Sequence, residues 1–346
     1  MRVAFVTVGD TGRLTGGYLY NGRLLDGLEE NGVDVEEVVP CGADPTGQVE
    51  AAPGFGAALD PARFDVVVVD ALARIVVAPY LDDWRSVRPV VALVHELPGV
   101  ADLSAAGRER PFEMPLLRSD RLVVVSGHGR EVLLGKGVPA GRVAVVPPGF
   151  DGLEPCPEEP HDGGASRVLC VAQWIPRKGV LDLVRAWKTE DRSGAVLDLV
   201  GETDADAGYA AKVREAASED PSILVRGPVD DATLAGLYAS ADVFALPSRY
   251  EGYGIVYAEA LSFGLPVVAC AVGPVPEVVG GEAALLVLPG DTDALSGALG
   301  RLLSDAGLRE KMSAAALRRA AGLPLWRETV EGFLGVLRDV VEERGR

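Results

Sequence analysis

The sequence predicts an α/β protein built from two domains, each with a doubly wound parallel sheet, that face an interdomain cleft. Its 346 residues suffice for roughly two domains of ordinary size. Short Val-rich runs bounded by Gly and Pro alternate with longer amphipathic stretches, as in sheets covered on both faces. A stretch rich in Pro, Gly and acidic residues separates two such alternations, as an interdomain linker would. Sheets of this kind bind ligands at the carboxyl ends of their strands, so we expect the site in the cleft.

The first alternation predicts an amino-terminal domain over residues 1–155. Its apolar run at the amino terminus is too short for a signal peptide and ends in a glycine turn, as a first strand does. The predicted elements are strand Val3–Val8, helix Tyr18–Glu30, strands Asp65–Val69, Val90–Val94 and Leu122–Val125, a helix from Gly129 and strand Val143–Val146.

The second alternation predicts a carboxyl-terminal domain over residues 165–325, after a linker between Asp151 and Ser166. Residues 326–346 have helical periodicity, with an apolar side that includes Phe333 and Leu337. The predicted elements are strand Val168–Ala172, helix Gly179–Glu190, strand Val196–Gly201, helix Ala210–Ala217, strand Ile223–Val225, a helix from Asp231, strand Val243–Leu246, a helix after Gly254, strands Pro266–Ala271 and Ala284–Leu288, and a helix capped by Asp291 or Thr292.

Composition excludes several classes of partner. Lys plus Arg number 33 against 51 Asp plus Glu, a formal net charge of -18, so the surface repels nucleic acid and anionic lipid. The four cysteines are far apart and there are only three histidines, which suggests neither a disulfide framework nor a zinc site. No apolar stretch reaches the ~18 residues that span a bilayer. We therefore expect a cytoplasmic protein with no nucleic-acid partner, no integral membrane segment, no favoured peripheral membrane contact and no metal.

The most informative segment runs from Pro247 to Pro266. A buried strand leads into a loop that contains Glu251, Gly252, Tyr253 and Gly254, and a helix with Glu259 inside it follows. Free N–H groups at a helix start bind anions, and carboxylates accept hydrogen bonds from hydroxyl groups. The order carboxylate, anion site, carboxylate suits a sugar, a diphosphate and a ribose. One glutamate before a helix and one solvated glutamate on it would also fit, but the glycines and the strand-to-helix context favour the ligand site.

A second segment, from Val171 to Gly179, lies between a strand and a helix of the second domain. Arg177 and Lys178 stand where a cation can neutralise a leaving diphosphate, and Gly179 permits close backbone approach. A solvated basic turn is the alternative. No GxxxxGK[ST] motif occurs, so a kinase or ATPase is not supported.

Three further features are weaker on their own. Gly16 and Gly17 close a glycine-rich loop that begins at Gly9 and could meet phosphate or sugar with its backbone, although an ordinary glycine turn fits equally well. His95 ends a predicted strand and could bond a sugar hydroxyl, but a structural role is more common for such a histidine. The triplets Asp204–Asp206 and Asp291–Asp293 have the spacing of metal–diphosphate sites, and helix capping is the favoured interpretation of both.

Together these residues resemble glycosyltransferase family 4, the retaining enzymes with a GT-B fold of two Rossmann-like domains and an E-x7-E motif. The resemblance covers nearly the whole chain, and several motifs occur in the family's order. The stronger motifs are Leu237–Ser248, Glu251–Glu259, Gly264–Val268, Gly273–Val278 and Leu288–Asp291, and the weaker ones are His95–Pro98, Val123–Ser126 and Val146–Asp151.

The resemblance implies a nucleotide-sugar donor bound by the second domain and an acceptor bound by the first. It implies that Glu251 contacts the donor sugar, Glu259 the ribose and Lys178 the diphosphate, with Glu251, Lys178 and His95 as the catalytic residues. It implies that Gly16 and Gly17 contact phosphate or sugar, that His95 contacts the sugar, and that backbone near Gly227 contacts the nucleobase. The terminal helix is expected to cross back to the first domain.

One departure from the family concerns phosphate binding. The chain has Gln173 where the family usually has Arg, so one of two phosphate-binding cations is missing, and either Arg177 compensates or donor affinity is lower. The resemblance implies a retaining, metal-independent hexosyltransferase without a cofactor, using a UDP- or GDP-linked sugar and an acceptor that is a small molecule, natural product or glycan. The alternatives are a nucleotide-sugar 2-epimerase of the same architecture and a catalytically silent sugar-nucleotide-binding protein.

Overall fold

The computed structural model describes residues 1–9, 16–42, 44–56, 58–102, 104–151, 153, 165–190, 192 and 194–345. The chain divides into two compact units, of which unit 1 combines Met1–Gly149 with Pro324–Arg346 and unit 2 is Phe150–Leu323. Most of the predicted linker lies outside the described residues. Each unit has its own hydrophobic core.

Unit 1 begins with an alternation of strands and helices. The elements are β1 (Arg2–Val6), α1 (Gly16–Glu30), β2 (Asp34–Val38), α2 (Pro45–Phe55), β3 (Val66–Asp70), α3 (Arg74–Val77), α4 (Leu81–Val87), β4 (Val90–Val94), α5 (Pro98–Ala101), α6 (Ala106–Leu117), β5 (Arg121–Val124), α7 (Gly127–Gly135) and β6 (Val143–Val145). Short 3-10 helices lie at Pro61–Arg63, Ala71–Ala73 and Ala140–Arg142.

Unit 2 repeats the alternation, and the last helix of the chain returns to unit 1. The elements of unit 2 are β7 (Ser166–Val171), α8 (Val180–Lys188), β8 (Ala195–Val200), α9 (Ala207–Ser218), β9 (Ile223–Gly227), α10 (Asp231–Ser240), β10 (Val243–Leu246), α11 (Ile255–Ser262), β11 (Val267–Cys270), α12 (Val275–Val279), β12 (Ala284–Val287), α13 (Thr292–Ser304) and α14 (Ala306–Ala320). The last helix, α15 (Trp326–Gly345), belongs to unit 1. A 3-10 helix at Pro176–Lys178 separates β7 from α8.

Both sheets are parallel throughout. The strand order is β2-β1-β3-β4-β5-β6 in unit 1 and β12-β11-β10-β7-β8-β9 in unit 2. These are doubly wound sheets, and the predicted fold class is confirmed for each unit. The strand order reverses between β1 and β3 in unit 1 and between β7 and β10 in unit 2, and the carboxyl ends of those strands form the crevice where such sheets bind ligands.

Burial explains which strands the sequence revealed. All five residues of β3 and all five of β4 are buried, because helices cover both faces of a central parallel strand. By contrast, β2 is an edge strand with the sequence DVEEV and two exposed residues, so it carries no apolar run and was not predicted.

Helix α15 packs within unit 1. Val330, Phe333 and Leu337 are buried on its apolar side, and the Thr329 hydroxyl donates to the Pro147 carbonyl at 2.8 Å. A Cβ on Gly27 of α1 would lie 2.4 Å from a methyl carbon of Val330, so a glycine there admits the close approach of the two helices. Among the described residues, no helix has the length and apolar character needed to cross a membrane.

Candidate functional site

Two loops at the strand-order reversal of unit 2 lie against each other. The 3-10 helix Pro176–Lys178 follows β7, and the segment that begins at Pro247 follows β10. The backbone N–H of Arg249 donates to the carbonyl of Arg177 at 2.7 Å. Gly179 has a φ of +70°, and a Cβ there would lie 2.2 Å from the Pro247 carbonyl oxygen. Glycine is therefore required for this approach, which brings Lys178 to the loop that carries Glu251.

Lys178 and Glu251 form the central contact of these loops. The Nζ of Lys178 lies 2.7 Å from Oε1 and 2.8 Å from Oε2 of Glu251, and the Ser248 hydroxyl donates to Oε1 at 2.6 Å. The Glu251 residue is 3% exposed, so its charge is compensated at short range, as a buried carboxylate requires.

The ionisation of Glu251 follows from these neighbours. Burial by itself raises the pKa of Glu251, but the charges of Lys178 and Arg177 and the hydrogen bonds from Lys178 and Ser248 together hold that pKa below its ordinary value. Glu251 is therefore a carboxylate at neutral pH, available to accept hydrogen bonds.

Arg177 and Gln173, the other two predicted donor-binding residues of the segment from Val171 to Gly179, have different partners. The Nη1 of Arg177 donates to the Tyr250 carbonyl at 3.4 Å, in the same pair of loops. The Nε2 of Gln173 donates to Oε2 of Glu202 at 2.6 Å. Gln173 thus has a carboxylate partner from the segment after β8, which bears on what an arginine at this position would do.

Glu259 lies inside α11 in surroundings unlike those of Glu251. Its Oε2 accepts a hydrogen bond from the Tyr238 hydroxyl at 2.8 Å. Burial raises the pKa of Glu259 to about 7, the hydrogen bond from Tyr238 opposes that rise, and the charge of Asp231 adds to it. Near neutral pH this carboxyl group changes between its protonated and ionised forms.

The glycine-rich part of the segment sets the start of α11. Gly254 is the residue before the helix and has a φ of +92°, a conformation that L side chains rarely adopt. Burial raises the pKa of its neighbour Tyr253 to about 12. Gly252 lies in the loop between Glu251 and Tyr253. Gly227 ends β9 with a φ of +71°, and its carbonyl accepts from the Gly201 N–H at 2.9 Å.

The predicted residues of unit 1 meet at the start of α1. Gly16 and Gly17 are the first residues of that helix and not part of the loop before it, so the prediction that they belong to the loop was wrong. Residues 10–15 of the predicted glycine loop lie outside the described residues. A Cβ on Gly17 would lie 3.6 Å from Cδ2 of His95, which places that glycine beside the His95 ring.

His95 follows β4 and is held by Asn21 and Asp70, which no predicted motif contains. Its Nε2 lies 2.9 Å from Oδ1 of Asn21, and Asn21 in turn bonds the buried Asp70. Burial lowers the pKa of His95, against the opposing charges of Asp70 and Glu96. A signal was present for Asp70, because it is the acidic residue that ends the run Val66–Asp70.

Other missed residues had weaker signals. Ser248 stands next to the predicted loop and is fully buried, but a serine after a strand is too common to single out. Tyr238 and Glu202 are distant in sequence from the residues they contact, so only the fold reveals them.

The two Asp triplets act as helix caps. The side chain of Asp206 accepts from the Tyr209 N–H at the start of α9, and that of Asp291 accepts from the Ala294 N–H at the start of α13. The capping interpretation is confirmed at these two positions. Within the described part of the chain, no group of three or more His, Cys, Asp or Glu side chains could hold a metal ion.

Family models match both halves of the chain. The model described as "Glycosyl transferase 4-like domain" matches residues 1–149, and the model described as "Glycosyl transferases group 1" matches residues 165–305.

Curated relatives and a solved structure agree with these matches. The MMP alpha-(1->4)-mannosyltransferase of Mycolicibacterium hassiacum is 31% identical over 62% of this chain and 53% of its own length. The D-inositol 3-phosphate glycosyltransferase of Xylanimonas cellulosilytica is 31% identical over 74% of this chain and 67% of its own length. The chain thus spans about half to two thirds of these relatives. The structure of Anabaena Alr3699/HepE in complex with UDP-glucose has a TM-score of 0.79 at 18% identity and covers 98% of this chain and 100% of that one.

Proposed function

The chain belongs to the GT-B glycosyltransferases, and from that premise we propose that it moves a sugar from a nucleoside diphosphate sugar to an acceptor hydroxyl. We propose further that the reaction retains the configuration of the sugar and needs no metal ion. The observation that carries the proposal is the contact of Lys178 with the buried carboxylate of Glu251 at the strand-order reversal of unit 2.

Lys178 supplies the charge for the leaving group. A lysine ammonium has three N–H donors, and its contacts with Glu251 leave a donor for a phosphate oxygen. Departure of the nucleoside diphosphate places negative charge on phosphate oxygens, which a fixed ammonium stabilises in a site that excludes water. Backbone N–H groups at the start of α11, near Tyr253 and Gly254, add to that stabilisation.

Glu251 and Glu259 recognise the two sugars of the donor. Glu251 is ionised and accepts hydrogen bonds from donor-sugar hydroxyls, and its charge stabilises the positive charge that develops at the sugar ring. Glu259 accepts from the ribose hydroxyls, with Tyr238 holding its carboxyl group in place.

The reaction proceeds on one face of the sugar. The bond between the anomeric carbon and the leaving phosphate oxygen breaks, and the acceptor oxygen forms its bond from the same side. The departing phosphate oxygen takes the acceptor proton, so no separate protein base is required. This scheme suits a chain with only three histidines.

The names of the relatives support a proposal for the class of substrates. One relative is named a mannosyltransferase and one a D-inositol 3-phosphate glycosyltransferase, and the solved neighbour is in complex with UDP-glucose. We propose a UDP- or GDP-linked hexose as donor and a small molecule, natural product or glycan as acceptor. These relatives do not support the epimerase alternative.

Release of nucleoside diphosphate from UDP-glucose and GDP-mannose tests the proposal. We expect Lys178→Ala and Glu251→Ala each to lower turnover by about 100-fold or more, because each removes a charge that acts in the transition state. The surface pair Lys188 and Glu219 provides the matched controls. Lys188→Ala and Glu219→Ala remove the same side-chain types, and both variants should retain full activity. Turnover at the wild-type rate in the Lys178 and Glu251 variants would refute the assignment.

Analysis of the sugar product separates transferase from epimerase. Without an acceptor, a transferase hydrolyses its donor slowly, whereas an epimerase returns an isomerised sugar nucleotide. Recovery of an isomerised nucleotide would reject the proposed transfer.

A further inference from the structure

Four polar side chains from separate elements of unit 1 form one hydrogen-bonded chain. Thr7 follows β1, Asp70 ends β3, Asn21 lies in α1 and His95 follows β4. Oδ2 of Asp70 accepts from the Thr7 hydroxyl at 2.9 Å and from Nδ2 of Asn21 at 2.6 Å. Oδ1 of Asn21 lies 2.9 Å from Nε2 of His95. Thr7, Asn21 and Asp70 are each 0% exposed, so water does not compete for these bonds.

The carboxylate of Asp70 fixes the orientation of the Asn21 amide. Oδ1 of Asp70 also accepts the backbone N–H of Leu72 at 2.9 Å. The Thr7 hydroxyl, the Asn21 amide and the Leu72 N–H all donate to this one carboxyl group, whose oxygens therefore act as acceptors. Only the NH₂ group of Asn21 can face Asp70, and its carbonyl oxygen must therefore face His95.

The amide orientation then fixes the proton of His95. A carbonyl oxygen only accepts, so the Nε2 that faces it must carry the proton. In a neutral imidazole the other nitrogen, Nδ1, is then an acceptor. The described residues make no hydrogen bond to Nδ1. Burial favours the neutral ring, while Asp70 and Glu96 are the charged groups that oppose it, and Tyr20 packs edge-on against the ring at 5.1 Å between centroids.

We propose that Asp70 and Asn21 are positioning residues that hold His95 in the tautomer protonated at Nε2, so that Nδ1 accepts a hydrogen bond from a ligand hydroxyl group. The assignment of a ligand hydroxyl group to Nδ1 rests on the proposed function in sugar transfer. An unprotonated nitrogen accepts a hydrogen bond from a hydroxyl group. It donates none to a phosphate oxygen, which is itself only an acceptor. The resemblance already implies a sugar contact for His95, and the bonds from Asp70 through Asn21 add which ring nitrogen makes that contact and in which protonation state.

We call the hydrogen bonds from Asp70 through Asn21 to His95 the relay. The substitution Asp70→Asn tests it because the substitution should reverse the direction of these hydrogen bonds. The new amide keeps an oxygen for the Leu72 N–H and presents an NH₂ group to Asn21. The Asn21 amide then turns over, its NH₂ group faces Nε2 of His95, and the histidine proton moves to Nδ1. Long-range proton–nitrogen NMR spectra of the free full-length protein distinguish the two tautomers, with the His95 signals assigned from a His95→Gln variant.

Matched variants distinguish a change in the His95 tautomer from a general loss of structure. Thr7→Val removes another bond to the same carboxylate but leaves the Asn21 amide facing the same way, so the wild-type tautomer should persist. Asn21→Leu removes the relay without reversing it, and should yield no excess of the Nδ1-protonated form. If Asp70→Asn does not fold, a ring protonated at Nδ1 in the wild type would itself overturn the proposal. A folded Asp70→Asn protein that keeps the Nε2 proton also overturns it.

Ligand titration identifies the hydroxyl group. If UDP-glucose or GDP-mannose perturbs the Nδ1 signal and UDP or GDP does not, a donor-sugar hydroxyl is the partner. If the perturbation needs added D-inositol 3-phosphate or free mannose, the hydroxyl belongs to the acceptor. Perturbation by UDP or GDP alone, or by none of these compounds, overturns the hydroxyl assignment.

Activity measurements test the role of Nδ1 independently of the NMR spectra. Asp70→Asn should lower kcat/KM by about 10- to 100-fold, the effect of losing one hydrogen bond to the ligand. An unchanged kcat/KM in a variant with the inverted tautomer would contradict the role of Nδ1. Absence of any transfer by the wild type would refute the proposed function instead, and the tautomer measurement would still decide the relay.

Discussion

Glu251 and Glu259 have the same side chain and opposite electrostatic surroundings. Cations and hydrogen-bond donors lower the pKa of Glu251 against the effect of burial, whereas burial with a single hydrogen bond from Tyr238 leaves the pKa of Glu259 near 7. An ionised carboxylate and a titrating carboxyl group thus arise on one short segment, chiefly through Lys178 and Arg177 beside Glu251 and Tyr238 beside Glu259.

The pKa of Glu259 predicts a pH-dependent contribution to stability. The folded protein holds this proton to about pH 7, while the ordinary value is 4.5. The folded state therefore binds more protons between those values, and stability is lost as pH rises through them. A shift of this size corresponds to about 3 kcal/mol. We expect Glu259→Gln to become more stable relative to wild type as pH rises from 4.5 to 7, measured by urea unfolding. A stability difference that does not vary with pH would contradict this assignment.

Gln173 predicts a coupled effect of two substitutions. In Gln173→Arg the new guanidinium faces Glu202, whose carboxylate binds the glutamine amide in the wild type. An ion pair with Glu202 would offset much of the attraction of the guanidinium for a phosphate group. We expect Gln173→Arg alone to change UDP or GDP affinity by less than about threefold, and Gln173→Arg with Glu202→Gln to tighten it by about tenfold. Calorimetry on both variants and on Glu202→Gln measures the coupling. Equal affinities in all of them would place Gln173 away from the phosphate site.

The elements of the site depend on how two loops approach each other. The loop after β7 carries Lys178 and the loop after β10 carries Glu251, and Gly179 allows them to touch. The sequence predicted both loops and their flanking strands, because buried strands and glycine turns are local patterns. It also singled out Lys178 and Glu251, but not the ion pair between them, because that contact depends on β7 and β10 being neighbours in the sheet.

Gly179→Ala should separate the loops. The substitution places a Cβ at a φ of +70° and 2.2 Å from the Pro247 carbonyl oxygen, so the backbone must move. The control is Gly290→Ala, at a φ of +81° with no atom within 4 Å, which carries the backbone cost of about 1–2 kcal/mol without the clash. We expect thermal unfolding to show a larger loss for Gly179→Ala, and calorimetry to show weaker UDP or GDP binding in that variant alone. Equal losses and equal affinities would mean that the close approach does not matter.

At the scale of the molecule, the chain leaves unit 1 before β7 and returns to it in α15. The contacts of α15 described above all lie within unit 1, so the last residues of the chain complete the core of its first part. Stability of unit 1 therefore depends on sequence far from its strands.

Phe333→Ala tests this dependence. Phe333 is fully buried, and its truncation should cost about 3–5 kcal/mol. We expect hydrogen exchange to speed up mainly in the strands of unit 1. Phe244→Ala, which truncates an equally buried ring in β10 of unit 2, should have the reciprocal effect. The exposed Leu317→Ala should change neither unit. Loss of protection spread equally over both units by Phe333→Ala would refute the assignment of α15.

The sequence by itself determined the doubly wound class of both units and the motif residues Lys178, Glu251 and Glu259. These are local properties, since buried parallel strands require apolar runs and tight turns require glycine. Only the tertiary structure decided which side chains bond to one another: Lys178 with Glu251, Tyr238 with Glu259, and Asp70 with Asn21 and, through it, His95. Strand order sets these contacts, and strand order depends on packing between segments that no local pattern records.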